Sequence, residues 1–145
     1  MKPRINYWAI VVAALAYFFL GGVWYTLLTE QWLRALGTTK EEIMARAGGS
    51  DSPVPYITSF LCNLLVAYVL WWVINATGRS SAMRGMHIGL LMWLGFVATT
   101  LLTEYSFEVR PHSLFAINAG YPLIGMVIMG AILGAWPAKS VPQSA

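Results

Sequence analysis

Four runs of about twenty residues, 6–28, 56–76, 84–103 and 114–136, share one formal charge, Arg84 at the edge of the third. A helix needs about 20 mostly apolar residues to cross the hydrocarbon of a bilayer, and each run supplies them. The remaining chain is one segment, 36–55, and two short connections. With 145 residues, 58% of them apolar and 10% charged, a single soluble core could not hide the hydrophobic surface, so the bilayer must serve as solvent. The expectation is an all-α membrane protein: one domain over residues 1–145, with four transmembrane helices and a short external helix between the first two.

Lys2 and Arg4 precede the first run as they would in a secretory signal. The small pair Ala14 and Ala16 is followed by Tyr17, Phe18, Phe19 and Leu20 rather than by a polar cleavage region, so a retained helix is expected. Cys62 is the sole cysteine, which leaves no internal disulfide and no cysteine metal site; it reads as a small buried hydrophobe. Basic residues near helix ends set orientation. With the N-terminus inside, Lys2, Arg4, Arg79, Arg84 and Lys139 are cytoplasmic, against Arg34, Lys40, Arg46 and Arg110 outside. The net charge of +3 is therefore a topology signal, and nucleic-acid binding is not expected without a concentrated basic face.

The first helix has Tyr7 and Trp8 at one interface and Trp24, Tyr25 and Trp32 at the other, as an aromatic belt would. Gly22, Thr26 and Glu30 recur every four residues and form a small polar face. In the external segment, Thr38 or Thr39 followed three residues later by Glu41 or Glu42 reads as a capping box, with Gly48 and Gly49 ending that helix. Gly85 with Gly89, and Gly130 with Gly134, have the spacing that lets membrane helices approach closely, either within the chain or at a homodimer seam.

An internal match is more specific. Residues 19–33, FLGGVWYTLLTEQWL, align with 93–107, WLGFVATTLLTEYSF, sharing Leu-Gly, Val and the run Thr-Leu-Leu-Thr-Glu. Phe60-x-x-Asn63 and Phe115-x-x-Asn118 repeat more weakly. Two duplicated hairpins are expected, related by an axis along the membrane normal. Glu30 and Glu104 would then occupy equivalent helix ends, with Asn63 and Asn118 at similar depth.

A carboxylate at a helix C-terminus opposes the helix dipole and needs a partner. Arg34 can serve Glu30, and Glu104 requires Arg110, protonation or a bound cation. Glu104, Glu108 and His112 also have metal-ligand spacing, which Pro111 opposes by ending a helix. His87, at the start of the third helix, reads as a headgroup or loop contact. Pro122 should kink the fourth helix and free the Asn118 carbonyl, and Tyr121 can add a hydroxyl. The expected polar pocket is Glu30, Asn63, Thr100, Glu104, Asn118 and Tyr121. No HExxH or GxSxG motif occurs; no catalytic residue, metal site or cofactor is expected.

The opening Asn6-Tyr7, the run Gly21-Gly22-x-Trp24-Tyr25, Trp93-Leu94-Gly95-Phe96, Phe107-Glu108-x-Arg110-Pro111, Asn118-x-Gly120-Tyr121, and Met129 through Trp136 resemble the bacterial domain-of-unknown-function family 1761. The resemblance covers almost the whole chain. It implies a four-helix protein of the bacterial inner membrane with no established activity, so no catalytic residue carries over. Two functions stay open. One is a small-solute or ion transporter or channel-like protein, homo-oligomeric because four helices barely enclose a path. The other is a structural or accessory protein acting through homo-oligomerisation or partner binding.

Overall fold

The computed structural model describes residues 5–48, 52–78 and 80–136, and among them every regular element is helical. Six helices follow in order: α1 Tyr7–Leu27, α2 Thr29–Leu36, α3 Lys40–Arg46, α4 Val54–Ala76, α5 Ala82–Phe107 and α6 His112–Ala135. Four of them, α1, α4, α5 and α6, are long and apolar enough to cross a membrane. Asn6 Nδ2 donates to Trp136 O at 3.4 Å, so α1 begins where α6 ends. That end is called proximal below; α2, α3 and the turn at Glu108 to Pro111 form the distal end. Side chains such as Leu15, Phe19 and Val23 of α1, Leu61 and Leu65 of α4, and Leu91 and Phe96 of α5 are exposed, a surface that only lipid would cover favourably.

The helix boundaries follow local chemistry. Asn6 caps α1 by accepting from Ala9 N, and Ser81 caps α5 by accepting from Arg84 N. Leu28 interrupts α1, and the chain resumes at once as α2, which ends on Gly37 in the left-handed region at φ 68°. Thr39 and Glu42 make the expected capping box of α3. The Thr38 hydroxyl, then the Thr39 backbone N–H, hold the Glu42 carboxyl below the usual carboxylate range. Because the folded value is the lower one, this contribution is complete above the unfolded pKa and fades as pH falls through the folded one. Amide exchange in α3 should therefore accelerate on acidification, and Glu42→Gln should flatten that dependence. Gly49 and the orienting charges Lys2, Arg4, Arg79 and Lys139 lie outside the described residues.

α5 runs past the expected end at Thr103 to Phe107. Its terminus is a Schellman turn, with Arg110 N donating to Tyr105 O at 2.9 Å and Val109 N to Ser106 O at 3.4 Å. The left-handed position is Val109 at φ 54°, where a β-branched residue costs roughly 1–2 kcal/mol. Val109→Gly should raise stability by about 1 kcal/mol, read as a higher melting temperature in detergent.

α6 is the hub and the most buried of the four spans. α1, α4 and α5 all pack on it, whereas α1 and α5 form no helix–helix packing with each other. α1 offers a small face, Ala9, Ala13 and Ala14, which joins Ala67, Leu70, Trp71 and Ile74 of α4 and Met126, Met129 and Leu133 of α6 in one buried cluster. The proximal halves of α5 and α6 meet backbone to backbone. A Cβ on Gly85 would collide with the Gly130 carbonyl, one on Gly89 with Met126 O, one on Gly130 with Gly85 O and one on Gly134 with Ser81 O. Both glycine pairs thus serve packing within the chain, with Ser80 Oγ donating to Gly134 O at 2.8 Å as a further tie. Beyond this zip α5 contains a π-helical segment, Trp93–Ala98, which the sequence did not announce. From Thr99 onward α5 makes only sparse contact with α6.

The duplicated hairpins are not confirmed. α1 breaks at Leu28, while α5 runs unbroken through the aligned Leu102; α5 meets α6 through glycine, while α1 meets α4 through alanine. Cys62 is exposed rather than buried, because it lies one step, about 100° of helical turn, from the inward-facing Asn63.

Candidate functional site

The distal half of α6 carries the polar chemistry of the membrane interior. Pro122 is buried within α6, which is continuous from His112 to Ala135. Lacking an N–H, Pro122 cannot donate to Asn118 O as the helix would otherwise require. Indole groups reach the carbonyls on either side: Trp24 Nε1 of α1 donates to Ile117 O at 3.0 Å, and Trp93 Nε1 of α5 donates to Ala119 O at 2.9 Å. The turn before the proline is thereby held from two sides by side chains in an apolar medium, where such donors need an acceptor.

The Asn118 side chain links the same two helices. Tyr25 Oη donates to Asn118 Oδ1 at 3.2 Å, and Asn118 Nδ2 donates to Tyr105 Oη at 2.8 Å. With the edge contact of Tyr105 on Phe115, this is the main side-chain tie between the distal half of α5 and α6. One turn further on, Tyr121 Oη donates to Tyr17 O at 3.3 Å, and the two rings stack with centroids 4.6 Å apart. Glycines make the room: a Cβ on Gly21 would press on the Tyr121 hydroxyl, on Gly125 would overlap the Tyr17 ring, and on Gly120 would meet the Trp24 ring. Asn63 of α4 is only 6% exposed and sits beside the Tyr121 hydroxyl, the acceptor that its Nδ2 approaches without reaching good hydrogen-bond geometry.

Of the residues expected to form the pocket, Asn118, Asn63 and Tyr121 thus meet in one neighbourhood with Tyr17, Tyr25 and Tyr105. Glu30, Thr100 and Glu104 have other surroundings. Glu30 lies on α2 and pairs with Arg34 at 3.5 Å, both side chains 81% exposed, beside an open concavity of about 560 Å³ between α2 and α3. An exposed pair of this kind contributes little. Thr100 is exposed and returns its hydroxyl to Phe96 O at 2.6 Å on its own helix. Glu104 is also exposed, and Arg110, one of the three means of relief expected for it, goes instead to Glu108 at 2.6 Å. His87 is exposed, with Nδ1 2.8 Å from Met83 O. The face of Gly22, Thr26 and Glu30 looks outward, since α1 turns Tyr17, Gly21 and Trp24 to α6.

Apart from Tyr121, which the sequence places in the pocket, the tryptophans and tyrosines of the site read from sequence as an interfacial belt or carry no signal. A signal existed for Trp93, whose indole N–H lies far inside an apolar run and must find an acceptor. For Tyr105 there was none, because its partner is set by tertiary packing. The cluster holds no formal charge. It also cannot conduct protons as a chain of hydroxyls would, because the link between Tyr25 and Tyr105 is a carboxamide, which does not pass a proton on without tautomerising.

Four membrane-length helices, three of them packed on the proline-bearing fourth, define a small multi-pass membrane protein. The model of the family described as "Protein of unknown function (DUF1761)" matches residues 8–134, and the chain belongs to that family. No curated protein and no solved structure matches.

Proposed function

We propose that this protein is a small transporter or channel-like protein of a bacterial inner membrane, with both termini cytoplasmic, that carries a small polar solute along the distal half of α6. The observation that carries this reading is the hydrogen-bonded row Tyr25, Asn118, Tyr105 placed inside membrane-spanning segments next to Pro122. Polar side chains in lipid are costly to keep, and a proline at membrane depth, even in a continuous helix, leaves one carbonyl that neighbours, water or a ligand must satisfy. The arrangement of α5 supports it as well: zipped to α6 proximally by glycine and loosely attached distally, α5 can part from α6 at one end only. Four helices leave little width for a path, so a homo-oligomer is part of the proposal. Its surface would differ from the glycine faces, which are occupied within the chain.

The test is solute flux into proteoliposomes. Wild type is expected to move small polar solutes, Asn118→Ala to lose at least tenfold of that rate, and Glu104→Gln to retain it because Glu104 lies apart from the row. Equal flux in wild type, Asn118→Ala and empty liposomes would remove the reading.

A second reading, an accessory protein that binds a partner, is favoured by the distal turn. Phe107 and Val109 are both 87% exposed, and Val109 holds an uncommon left-handed conformation that glycine would adopt without strain. Co-purification of a defined partner that Phe107→Ser abolishes would support it.

A further inference from the structure

We infer that the crevice between α4 and α5 holds one anionic phospholipid of the proximal leaflet, its phosphate on Arg84 and one acyl chain in an apolar cavity at mid-membrane depth. The cavity, of about 280 Å³, is walled by Leu65 and Val69 of α4 and by Met92 and Phe96 of α5, over a buried floor of Leu70 and Met126. No polar side chain lines it. Leu65, Val69 and Phe96 are exposed, so it opens sideways to lipid, and α4 and α5 make little direct contact with each other. An apolar hollow of this size gives water no partners and cannot admit a helix, which is about 10 Å across. A single hydrocarbon chain meets both limits.

Charge and depth select the lipid. Arg84, Ile88 and Met92 recur every four residues and so follow one flank of α5, the flank that forms the cavity wall at Met92. Met92 and Phe96 lie eight and twelve residues beyond Arg84, about 12 and 18 Å along the helix. Half the hydrocarbon thickness of a bilayer is about 15 Å, so an acyl chain whose headgroup is anchored at Arg84 ends in the cavity. Arg84 is exposed and makes no ion pair among the described residues. The six acidic residues all belong to other parts of the chain: Glu30, Glu41, Glu42 and Asp51 fall between α1 and α4, and Glu104 and Glu108 at the distal end of α5. No acidic side chain is therefore at hand for Arg84, and a phospholipid phosphate at the proximal interface supplies the missing anion. A zwitterionic headgroup would also bring an ammonium group to a place with no acidic side chain to receive it, which selects a net-anionic lipid. Such a site does not depend on solute movement along α6, and it stands or falls apart from the transport reading.

Phosphatidylglycerol and phosphatidylethanolamine with matched acyl chains are the probes. Native mass spectrometry of the delipidated full chain in detergent is expected to show phosphatidylglycerol held about fivefold more tightly than phosphatidylethanolamine, with Arg84→Gln removing that preference. Equal binding of the two lipids by wild type, or an unchanged preference in Arg84→Gln, overturns the inference. Val69→Trp, which puts bulk into the hollow from its open rim, is expected to weaken the binding of both lipids; undiminished binding overturns the inference as well. A phosphatidylglycerol carrying a photoreactive diazirine near the end of one acyl chain locates that chain in wild type, where no substitution puts the fold at risk. Adducts concentrated on Val66, Val69, Met92 and Phe96 are expected. Adducts spread evenly over exposed positions such as Phe19, Leu61 and Leu94 would mean that the crevice holds no particular lipid.

Discussion

Gly85→Leu is expected to part α5 from α6 and to cost the bundle on the order of 3 kcal/mol. A Cβ at this position falls on the Gly130 carbonyl, so accommodation requires movement of two main chains, and no rotation of a flexible side chain can relieve it. The close approach also carries Cα–H···O contacts, each worth perhaps about 0.5–1 kcal/mol, that separation would forfeit. Nothing replaces them by hydrophobic gain, since lipid is as apolar as the helix faces it would cover. Gly22→Ala and Gly95→Ala are the controls: both glycines are helical, and a Cβ at either meets open space. Helix propensity favours alanine over glycine by about 1 kcal/mol, so both controls should melt at or above the wild-type temperature. The measurement is thermal unfolding in detergent, followed by helical signal and retention of a monodisperse species. Gly85→Leu melting with the controls would mean that α5 and α6 do not pack through this face.

The contrast between these glycines shows what a sequence of this kind discloses. The four spans were legible because about 20 apolar residues without charge have few alternatives, and their observed limits differ from the expected ones by a few residues. The close packing of Gly85, Gly89, Gly130 and Gly134 was legible from spacing; that these pairs face one another within a chain rather than across a dimer was not, because spacing names a face and not its partner. The polar site was half legible. Asn63, Asn118 and Tyr121 stand out as polar groups in apolar runs, and they do gather near Pro122. Glu30, Thr100 and Glu104 stood out equally and lie elsewhere, since a helix end offers a carboxylate water and a mid-helix threonine can return its hydroxyl to its own backbone. The π-helical segment of α5 had no sequence signature at all. Its position opposite the proline turn, joined by the bond from Trp93 Nε1 to Ala119 O, is a product of packing between two helices.

Pro122→Ala is expected to stabilise the protein by about 2 kcal/mol and to abolish whatever the distal site does. Alanine restores an N–H beneath Asn118 O, closing the gap in the helical ladder, and the small void left by the missing ring carbons offsets only part of that gain. Stability and function then move in opposite directions, the pattern of a site kept at the expense of the fold. Trp24→Phe with Trp93→Phe supplies the counter-test. The rings stay, but the N–H groups to Ile117 O and Ala119 O are lost, so the turn before Pro122 is no longer held and stability should fall by about 2 kcal/mol for the pair. Adding Pro122→Ala to that double variant should recover most of the stability, because a self-sufficient helix no longer depends on its neighbours, and should recover none of the flux. If Pro122→Ala instead leaves flux intact, the proline is a feature of helix shape alone. The polar row of Tyr25, Asn118 and Tyr105 would then have to act without any contribution from the carbonyl that Pro122 sets free.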